Sequence, residues 1–202
     1  MFYRPEDQKK YLAHSPLKAI VSPRPIGWIS TVDKDGNANL APYSFFNAVL
    51  DVPPMVVFSS AGGKPDREYG KDTVGNIRET GEFVVNVVSH ALKDQMSQTS
   101  GNYPADIDEF EHAGLTKAAC EVVVAPRVAE APAALECKLV QFIDLPGENN
   151  VLVLGQVVGF HMIDEAIKDG IFDITAYNPV ARLGYKDYST VRDIYPLERP
   201  KG

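Results

Sequence analysis

A long predicted β-hairpin in the second half of the chain places the strongest constraint on the fold. Residues 135–145 alternate in polarity, residues 146–150 (PGENN) form a turn sequence, and residues 151–163 supply the partner strand. Gly155 and Gly159 interrupt that partner strand, and glycine within a strand favours a bulge or a bend. Because small closed barrels need long strands that bend, the hairpin predicts a mostly β protein with a β-barrel.

Shorter segments add strands and a few helices to this hairpin. Pro42 marks one strand as an edge or bulged strand, since proline cannot donate to a β-ladder. A helix over 71–80 is predicted to begin with a cap from Asp72 or Thr73 and to end at Gly81. The other predicted segments are strands over 26–32, 38–47, 55–59 (buried on both faces), 82–88 and 121–127, a helical excursion outside the sheet over 89–116, and an irregular tail over 177–202.

Composition indicates an ordinary globular chain of 202 residues, which we interpret as a single domain over 1–202. A net charge of −7 argues against nucleic acid as a partner, since that role needs a basic surface. Cys120 and Cys137 lie far apart and predict buried thiols rather than a disulfide framework. The first ten residues lack an apolar signal region, and no apolar run is long enough for a membrane span, so we expect a cytoplasmic protein without membrane contact.

Several catalytic patterns are absent from the sequence. No G-x-G-x-x-G, H-E-x-x-H, C-x-x-C or G-x-S-x-G motif occurs, and the four histidines have no metal-ligand spacing. His161 lies in a predicted strand and is interpreted as a hydrogen-bonded structural residue. Asp106, Asp108 and Glu109 are interpreted as one solvated helix face. We therefore predict no side chain that acts as a nucleophile or as a general acid or base.

Polar side chains without acid–base character punctuate residues 21–47 and suit a polar, planar ligand that carries a phosphate. A solvated β-hairpin is the commoner explanation for such a pattern. Near the start of the predicted helix, first-turn N–H groups, the Thr73 hydroxyl and the Lys71 ammonium would make a phosphate site, whereas a simple cap with a solvated lysine is the alternative.

Ordered motifs along the chain resemble the flavin reductase-like family of FMN-binding split barrels, which includes the flavoredoxins. The matching stretches are RPIGWIST (24–31), NLAPYSFFN (39–47), PP (53–54), KDT (71–73) with NI (76–77), GEFVVN (81–86) and PVARLGY (179–185). The family usually shows a second glycine after Leu183-Gly184, where Tyr185 stands here. The resemblance implies a six-stranded antiparallel Greek-key split barrel with peripheral helices, assembled as a homodimer.

The resemblance also implies roles for particular residues at an FMN site. Ser30, Thr31, Lys71 and Thr73 would bind the phosphate. Trp28 would pack near the ring or the ribityl chain, with a core anchor as the equal alternative. Arg24 and Arg182 would supply positive charge, although a surface salt bridge is the commoner role of an arginine. The full implied cofactor set is Arg24, Trp28, Ser30, Thr31, Asn39, Ala41, Pro42, Tyr43, Ser44, Phe45, Asn47, Lys71, Asp72, Thr73 and Arg182.

Three functions follow from this resemblance. The first is an NAD(P)H-dependent flavin reductase in which hydride passes from nicotinamide to the flavin N5, with FMN (or FAD) as the flavin and an oxygenase or redox protein as a partner. The second is a flavoredoxin-like electron carrier without strong NAD(P)H activity. The third is a barrel that has lost flavin, which the intact Ser30-Thr31 and Lys71-Asp72-Thr73 sequences disfavour. In the first two, the flavin carries the redox chemistry and the protein binds and orients it.

Overall fold

The computed structural model describes residues 1–63, 70–104 and 106–200, and β-strands dominate them. No helix within these ranges is long and apolar enough to cross a membrane. The strands are β1 (Arg24–Pro25), β2 (Gly27–Val32), β3 (Ala38–Tyr43), β4 (Phe46–Leu50), β5 (Met55–Ser60), β6 (Glu82–Asn86), β7 (Lys117–Ala118), β8 (Arg127–Val128), β9 (Ala133–Asp144), β10 (Val151–Met162), β11 (Ile167–Lys168), β12 (Ile171–Phe172), β13 (Val180–Arg182) and β14 (Tyr188–Thr190).

Seven of these strands form the main antiparallel sheet, in the order β3-β2-β6-β9-β10-β5-β4. β3 and β4 lie at its two ends, yet only Ser44 and Phe45 separate them in the chain. Three residue steps span roughly 10 Å at most, so the two ends must lie close together and the sheet must curl into a barrel. The predicted class is confirmed, but the main sheet has seven strands rather than six. The predicted single strand over 38–47 is wrong because the chain crosses there from one end of the sheet to the other.

Side chains of β2 point alternately into two cores. Ile29 faces the barrel interior with Phe58 and Phe83, whereas Trp28 faces a second core with Phe110. All six residues of β2 are therefore buried. The second core lies beneath the 89–116 segment, which confirms that this segment is a helical excursion outside the sheet.

β9 and β10 form the predicted long hairpin. Their register shifts between Leu154 and Gly155 and again between Val157 and Gly159, which confirms the predicted irregularities at both glycines. A Cβ atom at Gly155 would lie 2.4 Å from Cζ of Phe83, so the bend brings the β10 backbone directly onto an aromatic ring of the core. The absence of a side chain at position 155 is thus what lets the barrel close tightly at this point.

Helices are short, and the longest of them in the described residues borders the candidate site. Lys71 occupies its N-cap position and makes no side-chain cap hydrogen bond, so the predicted cap by Asp72 or Thr73 is wrong. Gly81 ends that helix with φ 71°, as predicted. The α-helices are α1 (Gln8–Tyr11), α2 (Leu17–Ile20), α3 (Asp72–Thr80), α4 (Lys93–Gln98) and α5 (Glu109–His112), with 3-10 turns at Pro5–Asp7, His90–Leu92, Asp164–Ala166 and Ile174–Ala176.

Three further predictions need correction. β5 alternates between buried and half-buried residues because only one of its faces meets the barrel core. Residues 121–126 form no strand, since the carboxylate of Glu136 accepts the backbone N–H groups that a ladder would need. The tail contains β13 and β14, which form a three-stranded sheet with β1.

Candidate functional site

A pocket of about 80 Å³ lies where the outer edge of β3 meets the start of α3. The edge position of β3 follows from Pro42, which could not serve as a ladder donor between two neighbours. Residues that follow α4 and one residue of α5 complete the wall. The lining residues are Asn39, Ala41, Pro42 and Tyr43 of β3, residues 71–73, residues 99–102 and Glu109.

A chain of hydrogen bonds links three of the lining side chains. The Asn39 amide donates to both carboxylate oxygens of Glu109 at 3.1 Å, and the Leu40 backbone N–H donates to the same carboxylate at 3.1 Å. The Thr73 hydroxyl in turn donates to the Asn39 amide oxygen at 2.8 Å. Glu109 is only 5% exposed, so these donors replace the water that its charge would otherwise require. The carboxylate thereby fixes the orientation of both Asn39 and Thr73.

Lys71 and the N-terminus of α3 supply positive charge to the pocket wall. The Lys71 ammonium lies 5.6 Å from the centroid of the Tyr43 ring. α3 has nine residues, and its N-terminal end carries the positive end of the helix dipole. Asp72 and Glu109 bring negative charge to the same wall. An anion would therefore lie on the Lys71 side, where the attraction is greatest.

Tyr43 and Ser60 contribute hydroxyls buried beside this wall. Burial raises the pKa of Tyr43, hydrogen bonds with the Thr73 and Ser60 side chains lower it, and the nearby charges of Asp72 and Glu109 raise it. Burial outweighs the two hydrogen bonds, so the phenol stays protonated at neutral pH.

Comparison with known proteins identifies the family. A model of the flavin reductase-like domain matches residues 21–184, most of the chain. The chain belongs to the flavin reductase-like family. A curated but uncharacterised relative from Aquifex aeolicus is 40% identical over 170 residues, which is 84% of this chain and 85% of that protein.

Solved structures extend the family resemblance to the whole fold. Nitrilotriacetate monooxygenase component B from Bacillus cereus superposes with a TM-score of 0.89 at 31% identity and covers 98% of both chains. A split-barrel-domain protein from Shewanella frigidimarina superposes with a TM-score of 0.85 at 26% identity, over 99% of this chain and 100% of that chain. The predicted family and the predicted split-barrel class are both confirmed.

The pocket brings together seven of the residues that the family resemblance singled out. They come from two distant motifs, and the Thr73–Asn39 hydrogen bond joins the two. The seven residues are Asn39, Ala41, Pro42, Tyr43, Lys71, Asp72 and Thr73.

Ser30 and Thr31 lie elsewhere, fully buried in β2. The Ser30 hydroxyl donates to the Pro126 carbonyl at 2.5 Å and accepts from the Asn86 amide at 3.1 Å. Thr31 accepts a hydrogen bond of 3.0 Å from the Asn76 amide. Both hydroxyls are thus engaged in connecting β2 to its neighbours, and neither lines the pocket.

Trp28 reaches the pocket only through another residue. It is fully buried in the second core, and its indole N–H donates to the Thr99 hydroxyl at 2.9 Å. Thr99 lines the pocket and itself donates to the Met96 carbonyl. The placement matches the core-anchor alternative, with the added effect that the indole fixes the wall residue Thr99.

Arg24 and Arg182 face each other across the β1–β13 pair. Arg24 is buried and donates to three backbone carbonyls, among them that of Leu183 at 2.8 Å. Arg182 donates to the Tyr188 hydroxyl and the Tyr185 carbonyl. Burial and the neighbouring charge of Arg182 lower the pKa of Arg24. These contacts tie the chain ends to the barrel and place neither arginine in the pocket wall.

The remaining motif residues follow Tyr43 at the crossing from β3 to β4. Phe45 is 42% exposed, with the Arg24 guanidinium 5.6 Å from its ring centroid. Ser44 is half-buried, and the exposed Asn47 accepts a hydrogen bond from the Ala48 N–H. These three residues flank the pocket in sequence without lining it.

Sequence reasoning missed Glu109 and the 99–102 segment. The interpretation of Glu109 as part of a solvated face is wrong, because its carboxylate is buried against Asn39 and Leu40. Only Asp108 carried a local signal, and it caps α5 by accepting the Phe110 N–H. Nothing near Glu109 in the sequence indicates a partner 70 residues away.

Proposed function

We propose that this protein is an FMN-binding oxidoreductase, most specifically an NAD(P)H-dependent flavin reductase. The main support for this proposal is the composition of the pocket between β3 and α3. In a chain of the flavin reductase-like family, the pocket joins Lys71 and the start of α3 to the outer edge of β3. Those parts offer a cation and a helix N-terminus beside a backbone edge with polar side chains, and the described lining residues include neither a cysteine nor a histidine.

The residues of the pocket fit one end of FMN. Lys71 and the N-terminus of α3 match a phosphate monoester. A pocket of about 80 Å³ is far below the roughly 300–1,000 Å³ of sites that enclose a whole ligand. We therefore infer that the phosphate end enters the pocket, and that the flavin ring lies outside it, beyond Tyr43 toward Ser44 and Phe45.

FMN, when bound, supplies hydride acceptance and one- or two-electron redox chemistry. The chain's own residues bind and orient it. Lys71 and the first-turn N–H groups of α3 would hold the phosphate end, the hydrogen bonds from Glu109 through Asn39 to Thr73 would fix the start of α3, and the β3 edge would lie beside the cofactor. No residue of the pocket needs to transfer a proton in this scheme.

We further propose a homodimer and an oxygenase or redox protein as the acceptor of electrons. Several apolar side chains on and beside β4 are exposed, including Val49, Leu50 and Val52 at 54%, 48% and 82%. A second copy that covers this edge would remove apolar surface from water. Light scattering should give twice the chain mass. A monomer at micromolar concentration would contradict the dimer without affecting the flavin site.

Anaerobic reduction tests the activity. The purified protein should be yellow or take up FMN, and NADH or NADPH should bleach the flavin bands rapidly. Bleaching by dithionite alone would support the flavoredoxin-like carrier instead. Protein that is colourless and takes up neither FMN, FAD nor riboflavin would overturn the flavin assignment. A reductase that uses NAD(P)H also fits the cytoplasmic location expected from the sequence.

A further inference from the structure

We propose that Cys120, Glu136 and His161 form a binding site for a divalent transition-metal ion, with Zn²⁺ as the best match. One ligand atom from each of the three lies within 4.8 Å of the other two. None of the three lines the pocket at β3 and α3. The cluster lies where residues 120–123 cover β9 and β10, and the proposal is independent of the flavin.

The donor types select the metal. A thiolate, an imidazole and a carboxylate are the three ligand types that Zn²⁺ uses, and three protein ligands with water in a fourth position make a common zinc site. Mg²⁺ and Ca²⁺ prefer all-oxygen sites, and a single thiol cannot hold an iron–sulfur cluster. The mixed set therefore favours Zn²⁺ or its spectroscopic substitute Co²⁺.

The carboxylate is already oriented for such a role. Glu136 accepts the backbone N–H groups of residues 121, 122 and 123 at 2.9, 2.7 and 2.9 Å, so its position is fixed from behind. On its other side, Nε2 of His161 lies 2.6 Å from Oε1 of Glu136. An ion would take the place of the proton shared by these two atoms. Tetrahedral zinc holds its ligand atoms roughly 3.3–3.7 Å apart, so His161 and Cys120 need to move by about 1 Å.

Space and access also suit an ion. Glu136 is 1% exposed, but the His161 side chain is 21% exposed and Cys120 is half-buried, so one side of the cluster opens to solvent. Gly159 leaves room beside the carboxylate, since a Cβ there would lie 3.3 Å from Cδ and Oε1 of Glu136. A bound ion would link the 120–123 segment to β9 and β10.

Cobalt titration of the flavin-containing protein, after chelator treatment, tests the proposal. The difference spectrum against cobalt-free protein removes the flavin bands. We expect a thiolate-to-cobalt charge-transfer band that saturates at one equivalent, with a dissociation constant below about 10 μM, and that Zn²⁺ abolishes. Cys120→Ser should remove the band, and His161→Gln, at the rim, should weaken binding at least tenfold.

Cys137→Ser is the matched control, because this second thiol is buried in the barrel core and outside the cluster. Its cobalt band should be unchanged. Absence of a saturable band in the unmodified protein would overturn the proposal. A band that persists in Cys120→Ser, or that disappears equally in Cys137→Ser, would overturn it as well.

Discussion

Two buried glutamates, Glu109 and Glu136, show how the same side chain serves different purposes in one fold. Glu136 accepts three backbone N–H groups and pairs with His161, so its partners are mostly main chain. Although burial raises the pKa of Glu136, those N–H groups and His161 outweigh it and lower the pKa to about 2.

Glu109 instead binds one backbone N–H and the side chain of Asn39, which leads to Thr73 and the pocket. A substitution at Glu109 therefore disturbs side chains that line the pocket. A substitution at Glu136 instead disturbs residues 121–123 and His161. Burial and charge alone therefore do not show which glutamate supports the pocket at β3 and α3. Glu109 does so because its partner Asn39 lines that pocket.

Glu136→Gln should produce the largest loss of stability. An amide places a donor against backbone N–H groups, which leaves at least one of them unpaired, and it also breaks the buried pair with His161. We expect the free energy of unfolding to fall by about 3–5 kcal/mol, measured by urea denaturation in the presence of chelator. Flavin affinity of the folded variant should stay within twofold.

Glu130→Gln is the control for that loss. Glu130 is exposed and accepts the Thr116 N–H, so its change should cost less than about 1 kcal/mol. Equal losses in the two variants would mean that the three N–H groups at Glu136 contribute nothing special.

Glu109→Gln should combine a moderate loss of stability with a loss of flavin affinity. The new amide donor would face the Asn39 amide or the Leu40 N–H, which costs about 1–3 kcal/mol for the unpaired group. Because Asn39 and Thr73 lose their fixed orientation, we expect FMN to bind about tenfold more weakly in a fluorescence titration, and riboflavin, which lacks the phosphate, to be affected less.

Glu111→Gln, an exposed position on the same helix, should leave both affinities unchanged. If Glu109→Gln also left FMN affinity unchanged, Glu109 would have no more effect on the flavin than Glu136, and the contrast between the two would be lost.

Gly159→Ala tests the surroundings of Glu136 sterically, because it crowds the carboxylate without removing it. The added Cβ would lie 3.3 Å from Cδ and Oε1 of the carboxylate, closer than comfortable packing. We expect a loss of about 1 kcal/mol in thermal or urea unfolding. Flavin affinity should not change, and a weakened affinity would show that the two regions are coupled.

Gly75→Ala should give the smallest effect, and it should be stabilising. A Cβ at this position in α3 meets nothing within 4 Å. Alanine favours a helix by about 0.5–1 kcal/mol over glycine, so the urea midpoint should rise. A destabilised variant would indicate that something covers this face of α3 in solution.

The sequence predicted what depends on local pattern. The turn before β10 and the irregularities at Gly155 and Gly159 depend on residues close together in the chain, and all were predicted correctly. The helix end at Gly81 is equally local.

The sequence failed where distant residues meet. Its valine-rich pattern predicted a strand over 121–127, but Glu136, more than ten residues away, takes the N–H groups that a strand would use. Glu109 looked solvated because its partner Asn39 lies 70 residues earlier. The residues themselves suggested a phosphate site at Lys71 and Thr73 beside a commoner alternative, and the family resemblance favoured the site. Which of the motif residues line the pocket depends on how the sheet curls.

The phosphate site at the start of α3 is tested most directly by comparing the affinity for FMN with the affinity for riboflavin, which lacks the phosphate. In the double variant Lys71→Ala and Thr73→Ala, FMN should bind more weakly by roughly 2–4 kcal/mol, because the Lys71 charge and the Thr73–Asn39 hydrogen bond that fixes the start of α3 are both lost. Riboflavin affinity should change by less than about 1 kcal/mol. Unchanged FMN affinity, or an equal loss for both flavins, would contradict a phosphate site at the start of α3.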